Sequence, residues 1–299
     1  MIDSITVQSL GAMGLLFASR IKCRMPEAAM SVLLDSERME RYREAEHLVN
    51  GKRFSFELVS AEEAGPADLA VTAVKSRDLD PAMEQLAAVV KEGTIVLSLL
   101  NGVTTEKELQ ERFPEARVVT SMSQGMDATR VGRELRYTSE GLIVIGQMPD
   151  DDIHIIKAIE EVADFLDKAN IPYEVSEDMP RQYWGKWMLN CGVNQAVAFY
   201  EGTYATVQRS GSAREHMIAA MKEAAACSTA EGIPLSEKDI AAWVNVVDGL
   251  NPDGIPSMRQ DQLAGRPMEL DLFSAEVIKL GRKHGIPTPV NDEFFERLS

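Results

Sequence analysis

The chain has 299 residues, 45% of them hydrophobic, and a formal net charge of -16 at pH 7. That composition is too apolar for a disordered chain, and the length favours two domains over a single core. So acidic a surface repels phosphate backbones, which argues against nucleic-acid binding but not against a small anionic ligand in a pocket with its own field.

From the N-terminus, short β-rich runs alternate with helical patterns. Ser4 to Val7 reads as a strand and Met13 to Ile21 as a helix; Ser31 to Leu34, Leu69 to Val74, Thr94 to Leu99, Arg117 to Ser121 and Leu142 to Ile145 are further strands. Such alternation predicts a doubly wound parallel sheet of the Rossmann type. Near Ile171-Pro172-Tyr173 the pattern changes. Gln182 to Tyr200, Arg214 to Glu231, Glu237 to Val247 and Glu269 to His284 are helical in period, with stops at Gly232-Ile233-Pro234 and Gly285-Ile286-Pro287. The expected organisation is a dinucleotide-binding domain over 1–176 and an all-α substrate domain over 177–299.

Cys23, Cys191 and Cys227 are too few and too far apart for a disulfide framework or a zinc site, so reduced, buried thiols, a cytoplasmic location and no metal are expected. Met1-Ile2-Asp3-Ser4 does not open a basic stretch followed by a long apolar run, so no secretory signal is expected. No apolar run is long enough to span a membrane. Fifteen methionines and an apolar helical domain are compatible with a homodimer.

The first strand leads into Ser9-Leu10-Gly11-Ala12-Met13-Gly14, a G-x-G-x-x-G loop with its first glycine replaced by serine. Gly11 lets the backbone approach a pyrophosphate, Gly14 lets the helix sit close, and the helix N-terminus offers free N–H groups. Serine disfavours positive φ, so the turn at Ser9 is expected to differ from the glycine form. At the end of the second strand, Asp35 can accept a hydrogen bond from a ribose 2′-hydroxyl and would repel a 2′-phosphate, which favours NADH, while the nearby Arg38 and Arg41 keep a phosphate site open. A solvated turn carboxylate is the alternative for Asp35.

In the first long helix of the second half, Lys186, Asn190 and Asn194 recur at i, i+4 and i+8 and form a stripe about 12 Å long. Trp184, Trp187, Met188, Leu189 and Val193 make the rest of that helix apolar, so it should be buried and its polar stripe should face partners or a wet cleft. A lysine there that has lost solvation is a usable acid; a solvent-facing lysine is the plain alternative. Further on, Ser257 reads as an N-cap, and Glu269 opens an amphipathic helix.

Together these segments resemble the ketopantoate reductases (2-dehydropantoate 2-reductases) over essentially the whole chain. The likeness rests on Gly11-Ala12-Met13-Gly14, Val74-Lys75, Leu100-Asn101-Gly102-Val103, Trp184 with Lys186, Asn190 and Asn194, then Ser257-Met258-Arg259-Gln260-Asp261, Gly265-Arg266 and Glu269-Leu270-Asp271. The resemblance implies a nicotinamide-dependent reductase of a small 2-keto acid, with the nicotinamide reaching the cleft between the domains. It makes Lys186 the general acid and Glu269 the partner of the substrate hydroxyl. Asn190 and Asn194 would bind substrate polar groups, and Ser257 the carboxylate. Lys75 and Asn101 would line the cofactor, Asn101 also the substrate. The family suggests NADPH where Asp35 argues for NADH. A reductase of another 2-keto acid and a non-catalytic dinucleotide sensor are the rival readings.

Overall fold

A computed structural model describes residues 2–44 and 46–299. Met1 and Ala45 lie outside the described residues. The chain divides into two compact units, residues 1–100 with 104–179, and residues 101–103 with 180–299.

The first unit begins β1 (Ser4–Gln8), α1 (Ala12–Arg24), β2 (Ala29–Leu33), α2 (Ser36–Arg43), β3 (His47–Val49), β4 (Lys52–Phe54), β5 (Glu57–Val59), β6 (Leu69–Thr72), α3 (Leu79–Leu86), β7 (Ile95–Ser98), α4 (Thr105–Arg112) and β8 (Arg117–Val119). Six of these strands form a sheet in the order β5-β2-β1-β6-β7-β8, every pair parallel. Counting only its members, that order is 3-2-1-4-5-6, with the reversal between β1 and β6, where ligands of such sheets bind. Val7, Val71 and Leu97 are fully buried, as strands covered on both faces require.

The unit continues with β9 (Ser121–Met126), β10 (Thr129–Val131), β11 (Glu134–Arg136), β12 (Glu140–Gly146), α5 (Ile153–Lys168) and β13 (Tyr173–Ser176). Two small sheets, β10-β11-β3-β4 and β13-β12-β9, use antiparallel pairs that the strand–helix alternation did not predict. One expected strand, Arg117 to Ser121, is divided between β8 and β9.

The second unit is helical: α6 (Met179–Phe199), α7 (Tyr204–Gln208), α8 (Ser212–Ala230), α9 (Glu237–Asp248), α10 (Ser257–Leu263), α11 (Ser274–His284) and α12 (Pro289–Leu298). Its core gathers Trp187, Met188, Val193, Met217, Met221, Val277 and Phe294 around α6, α8, α11 and α12. The expected N-cap is corrected: Pro256 holds that position for α10, and Ser257 is exposed one residue inside the helix. Nor does Glu269 open α11. A single 3-10 turn, Leu270–Leu272, intervenes, and Phe273 (φ -116°, ψ -96°) breaks the helical path. Cys191 and Cys227 are buried as expected. Cys23 is exposed at the end of α1, where Lys52 Nζ donates to its Sγ at 3.3 Å.

Candidate functional site

Two clusters of expected site residues emerge, one in each unit. In the first, β1 ends at Gln8, whose buried amide donates to Ala82 O (2.8 Å) and accepts from Thr72 Oγ1 (2.9 Å), fixing the strand end beside β6. Ser9 then takes φ +75°, the left-handed value a glycine would take, and its N–H donates to Leu33 O at 3.1 Å. The turn therefore keeps the glycine form despite the serine, correcting the expectation of a different turn; the Ser9 N–H is tied to Leu33 and its carbonyl lies against Gly14 of α1. Leu10 is buried. Gly11, Ala12 and Met13 lead into α1, which has no side-chain cap and no acidic residue in its first turn. A Cβ on Gly11 would meet nothing nearer than Ala73 O at 3.6 Å, whereas one on Gly14 would collide with the Ser9 carbonyl. The exposed N–H groups and close backbone approach fit a dinucleotide pyrophosphate.

Asp35 is no loose turn carboxylate. It N-caps α2, accepting from Arg38 N at 2.7 Å through Oδ1. Its Oδ2 accepts from Arg38 Nη1 at 3.0 Å, and Arg38 Nη2 donates to Asp78 Oδ2 at 2.9 Å. Lys75, half-buried, precedes the 3-10 turn Ser76–Asp78 beyond β6. Arg41 pairs with Glu37 on the exposed side of α2.

The second cluster lies in the helical unit. Lys186 and Asn190 are half-buried on α6, and Asn194 is 5% exposed. Lys186 Nζ lies 3.4 Å from Asn101 Oδ1, in the short segment that follows β7 but packs with the helices. Gly102, at φ +102°, sets its backbone against Leu272; a Cβ there would sit 3.1 Å from Leu272 Cδ2. Trp187 Nε1 donates to Leu272 O at 2.8 Å. Leu272 thus ties together three stretches far apart in sequence: Asn101-Gly102, Lys186-Trp187, and the turn that begins after Glu269. Glu269 itself is buried, with 8% exposure. Asp261 is buried too and holds Arg266 at 2.8 Å.

Sequence reasoning passed over Gln195, one residue beyond the stripe and fully buried. It donates to Cys191 O (2.6 Å) and Asn291 Oδ1 (3.1 Å), and its own carbonyl accepts from Ser274 N (3.1 Å). The signal was available: Gln195 lies off the stripe, on a helix expected to be buried, and a buried amide has to be satisfied from a neighbouring element. It anchors α11 and α12 to α6. Among the described residues no group of histidines, cysteines and carboxylates could hold a metal ion, and no helix is long and apolar enough to cross a membrane.

Comparison with known proteins gives concordant matches. The family model described as "Ketopantoate reductase PanE/ApbA" matches residues 5–150, and its C-terminal counterpart, "Ketopantoate reductase PanE/ApbA C terminal", matches residues 178–299. A 2-dehydropantoate 2-reductase of Mycobacterium tuberculosis (strain ATCC 25618 / H37Rv) is 28% identical over 236 residues, 77% of this chain and 75% of that protein. The crystal structure of 2-dehydropantoate 2-reductase from Geobacter metallireducens GS-15 has the same fold, with a TM-score of 0.84, 21% identity, and coverage of 99% of this chain and 98% of that one. A D-mandelate dehydrogenase bound to NADH and anilino(oxo)acetate matches with a TM-score of 0.84 and 21% identity, covering 99% and 97% of the two chains.

Proposed function

Since this chain belongs to the ketopantoate reductase family of nicotinamide-dependent oxidoreductases, we propose that it reduces 2-dehydropantoate, or a closely similar 2-keto acid, to the 2-hydroxy acid, as in pantothenate biosynthesis. The observation that carries this reading is the convergence of Lys186, Asn101 and the turn after Glu269 around Leu272. We assign residues 1–176 to the dinucleotide and 177–299 to substrate and proton transfer.

The bound dinucleotide supplies the hydride. Ser9 to Gly14 would cradle its pyrophosphate, and Lys75 and Asn101 would line the nicotinamide side. Lys186 Nζ delivers the proton to the carbonyl oxygen as negative charge grows there, and Asn101 Oδ1 holds that amine in position. Asn190 and Asn194, on the next two turns of the same face, bind the substrate's polar groups. The buried Glu269 carboxyl receives the substrate hydroxyl, and the exposed Ser257 donates to its carboxylate. Much of the rate gain comes from alignment of donor and acceptor.

Asp35, held as the N-cap of α2 just after β2, supports NADH as the preferred cofactor. The likeness to a D-mandelate dehydrogenase favours a second reading, a different 2-keto acid on the same scaffold.

The test is cofactor oxidation, followed by absorbance, with NADH and NADPH against 2-dehydropantoate and a panel of aliphatic and aromatic 2-keto acids. Turnover highest on 2-dehydropantoate is the expected result. Turnover confined to another keto acid selects the second reading. Dinucleotide binding without turnover on any of them makes the chain a sensor.

A further inference from the structure

We propose that Asp78 sets cofactor choice by locking Arg38 onto Asp35, so that the guanidinium is withheld from a 2′-phosphate. The proposal rests on the reading of Asp35 as the partner of the adenosine ribose.

An arginine at the start of the helix after the second strand is where a sheet of this order can accommodate a 2′-phosphate. Arg38 occupies that place, in the first turn of α2. Its side chain is committed elsewhere. Nη1 donates to Asp35 Oδ2 at 3.0 Å and Nη2 to Asp78 Oδ2 at 2.9 Å. Both are charge-assisted hydrogen bonds, and all three side chains are about two-thirds covered, so solvent competes less than at an open surface. A 2′-phosphate would have to break one of these bonds. It would also come up against the Asp35 and Asp78 carboxylates that hold the guanidinium.

Asp78 sits on a different element from the pair it completes. It ends the 3-10 turn beyond β6, whereas Asp35 and Arg38 follow β2. β2 and β6 are the two neighbours of β1. The ion pair therefore joins the two segments that flank the exit of β1 and its glycine loop. The Asp78 side chain makes no capping hydrogen bond to α3, the helix it precedes, which leaves its carboxylate oxygens to the guanidinium groups. Arg77 Nε lies 3.8 Å from Asp78 Oδ1, an ion pair on the other carboxylate oxygen, and leaves Oδ2 to the shorter bond from Arg38.

Removing Asp78 frees one edge of the guanidinium while leaving Asp35 capped. Calorimetric titration of the full chain with NAD+ and with NADP+ tests this in the wild type, Asp78→Ala and the double variant Arg38→Ala/Asp78→Ala, with Asp78→Asn as a second route to the same loss of charge. We expect the wild type to favour NAD+. Asp78→Ala should tighten NADP+ roughly tenfold, the scale of one charge-assisted hydrogen bond, and change NAD+ by less than about threefold. The gain should vanish in the double variant. A wild type that favours NADP+ overturns the Asp35 reading and this proposal with it. A wild type that favours NAD+, with an unchanged ratio in both Asp78 variants, overturns the role of Asp78 alone. A gain that survives loss of Arg38 also overturns it, because general relief of negative charge would then suffice.

Discussion

Lys186 is half-buried, two residues after Trp184 and one before Trp187, with Asn101 Oδ1 3.4 Å from its amine. If it is the proton donor, Lys186→Ala should lower kcat by ~10²–10⁴, the range for a positioned acid, with little change in melting temperature. Near-normal steady-state turnover in that variant would remove Lys186 from the chemistry. Ser9 makes a different point at the same scale. Its left-handed φ of 75° runs against its own preference, at the junction of a paired strand and a helix. Such a conformation costs a non-glycine residue ~1–2 kcal/mol, and glycine's extra chain entropy returns about half of that. Ser9→Gly should therefore raise stability by about 0.5–1 kcal/mol in denaturant melts; a loss would mean the serine makes a compensating contact. The position of the loop was legible in the sequence but its conformation was not, because that conformation is held by the distant Leu33 carbonyl and by the approach of Gly14 to the Ser9 carbonyl, which no local rule reports.

Among the elements, those with strong apolar signatures were legible. Ile95–Ser98 is buried on both faces and reads as a continuous apolar run. The stripe on α6 was legible from spacing alone. The small sheet β10-β11-β3-β4 was not, since strands such as Lys52–Phe54 and Glu134–Arg136 are three residues long and charged, too short for period to show. Glu269 was misjudged for a related reason: Leu270 to Leu280 has a helical pattern, but Trp187 captures the Leu272 carbonyl and the chain turns there. The β3 strand of the small sheet carries a testable consequence. His47 is 2% exposed, against Tyr42 and Phe56, and neither ring nitrogen has a hydrogen-bond partner among the described residues. Burial, aided by the Arg130 and Arg133 guanidinium groups, pushes it from 6.5 down to about 4. The unfolded chain thus takes up a proton that the folded one refuses. Stability from this group is complete above pH 6.5 and is lost as pH falls through that window towards 4, amounting to about 3 kcal/mol. His47→Phe should flatten this part of the pH–stability curve, measured by urea unfolding; an unaltered curve would place the acid sensitivity elsewhere.

For the molecule as a whole, the charge imbalance is 47 acidic against 31 basic side chains. Exposed pairs such as Arg41–Glu37 and Lys107–Glu111 contribute little, so net repulsion should dominate the response to salt. The melting temperature should rise as sodium chloride increases from ~0.01 to ~0.5 M, where the screening length shrinks from about 30 Å to a few ångströms. A fall would show that attractive pairs outweigh the repulsion. The division into a sheet unit and a helical unit was legible from the change in pattern after residue 170. The thread between them was not. Asn101 to Val103 group with the helical unit, where Val103 packs against its core and Gly102 against Leu272, before the chain resumes in the sheet unit. A helical half expressed alone from residue 177 would accordingly be born with a missing tooth: Leu272 would lose its cover and Lys186 its amide neighbour. Shuffling such halves between relatives calls for carrying those three residues along.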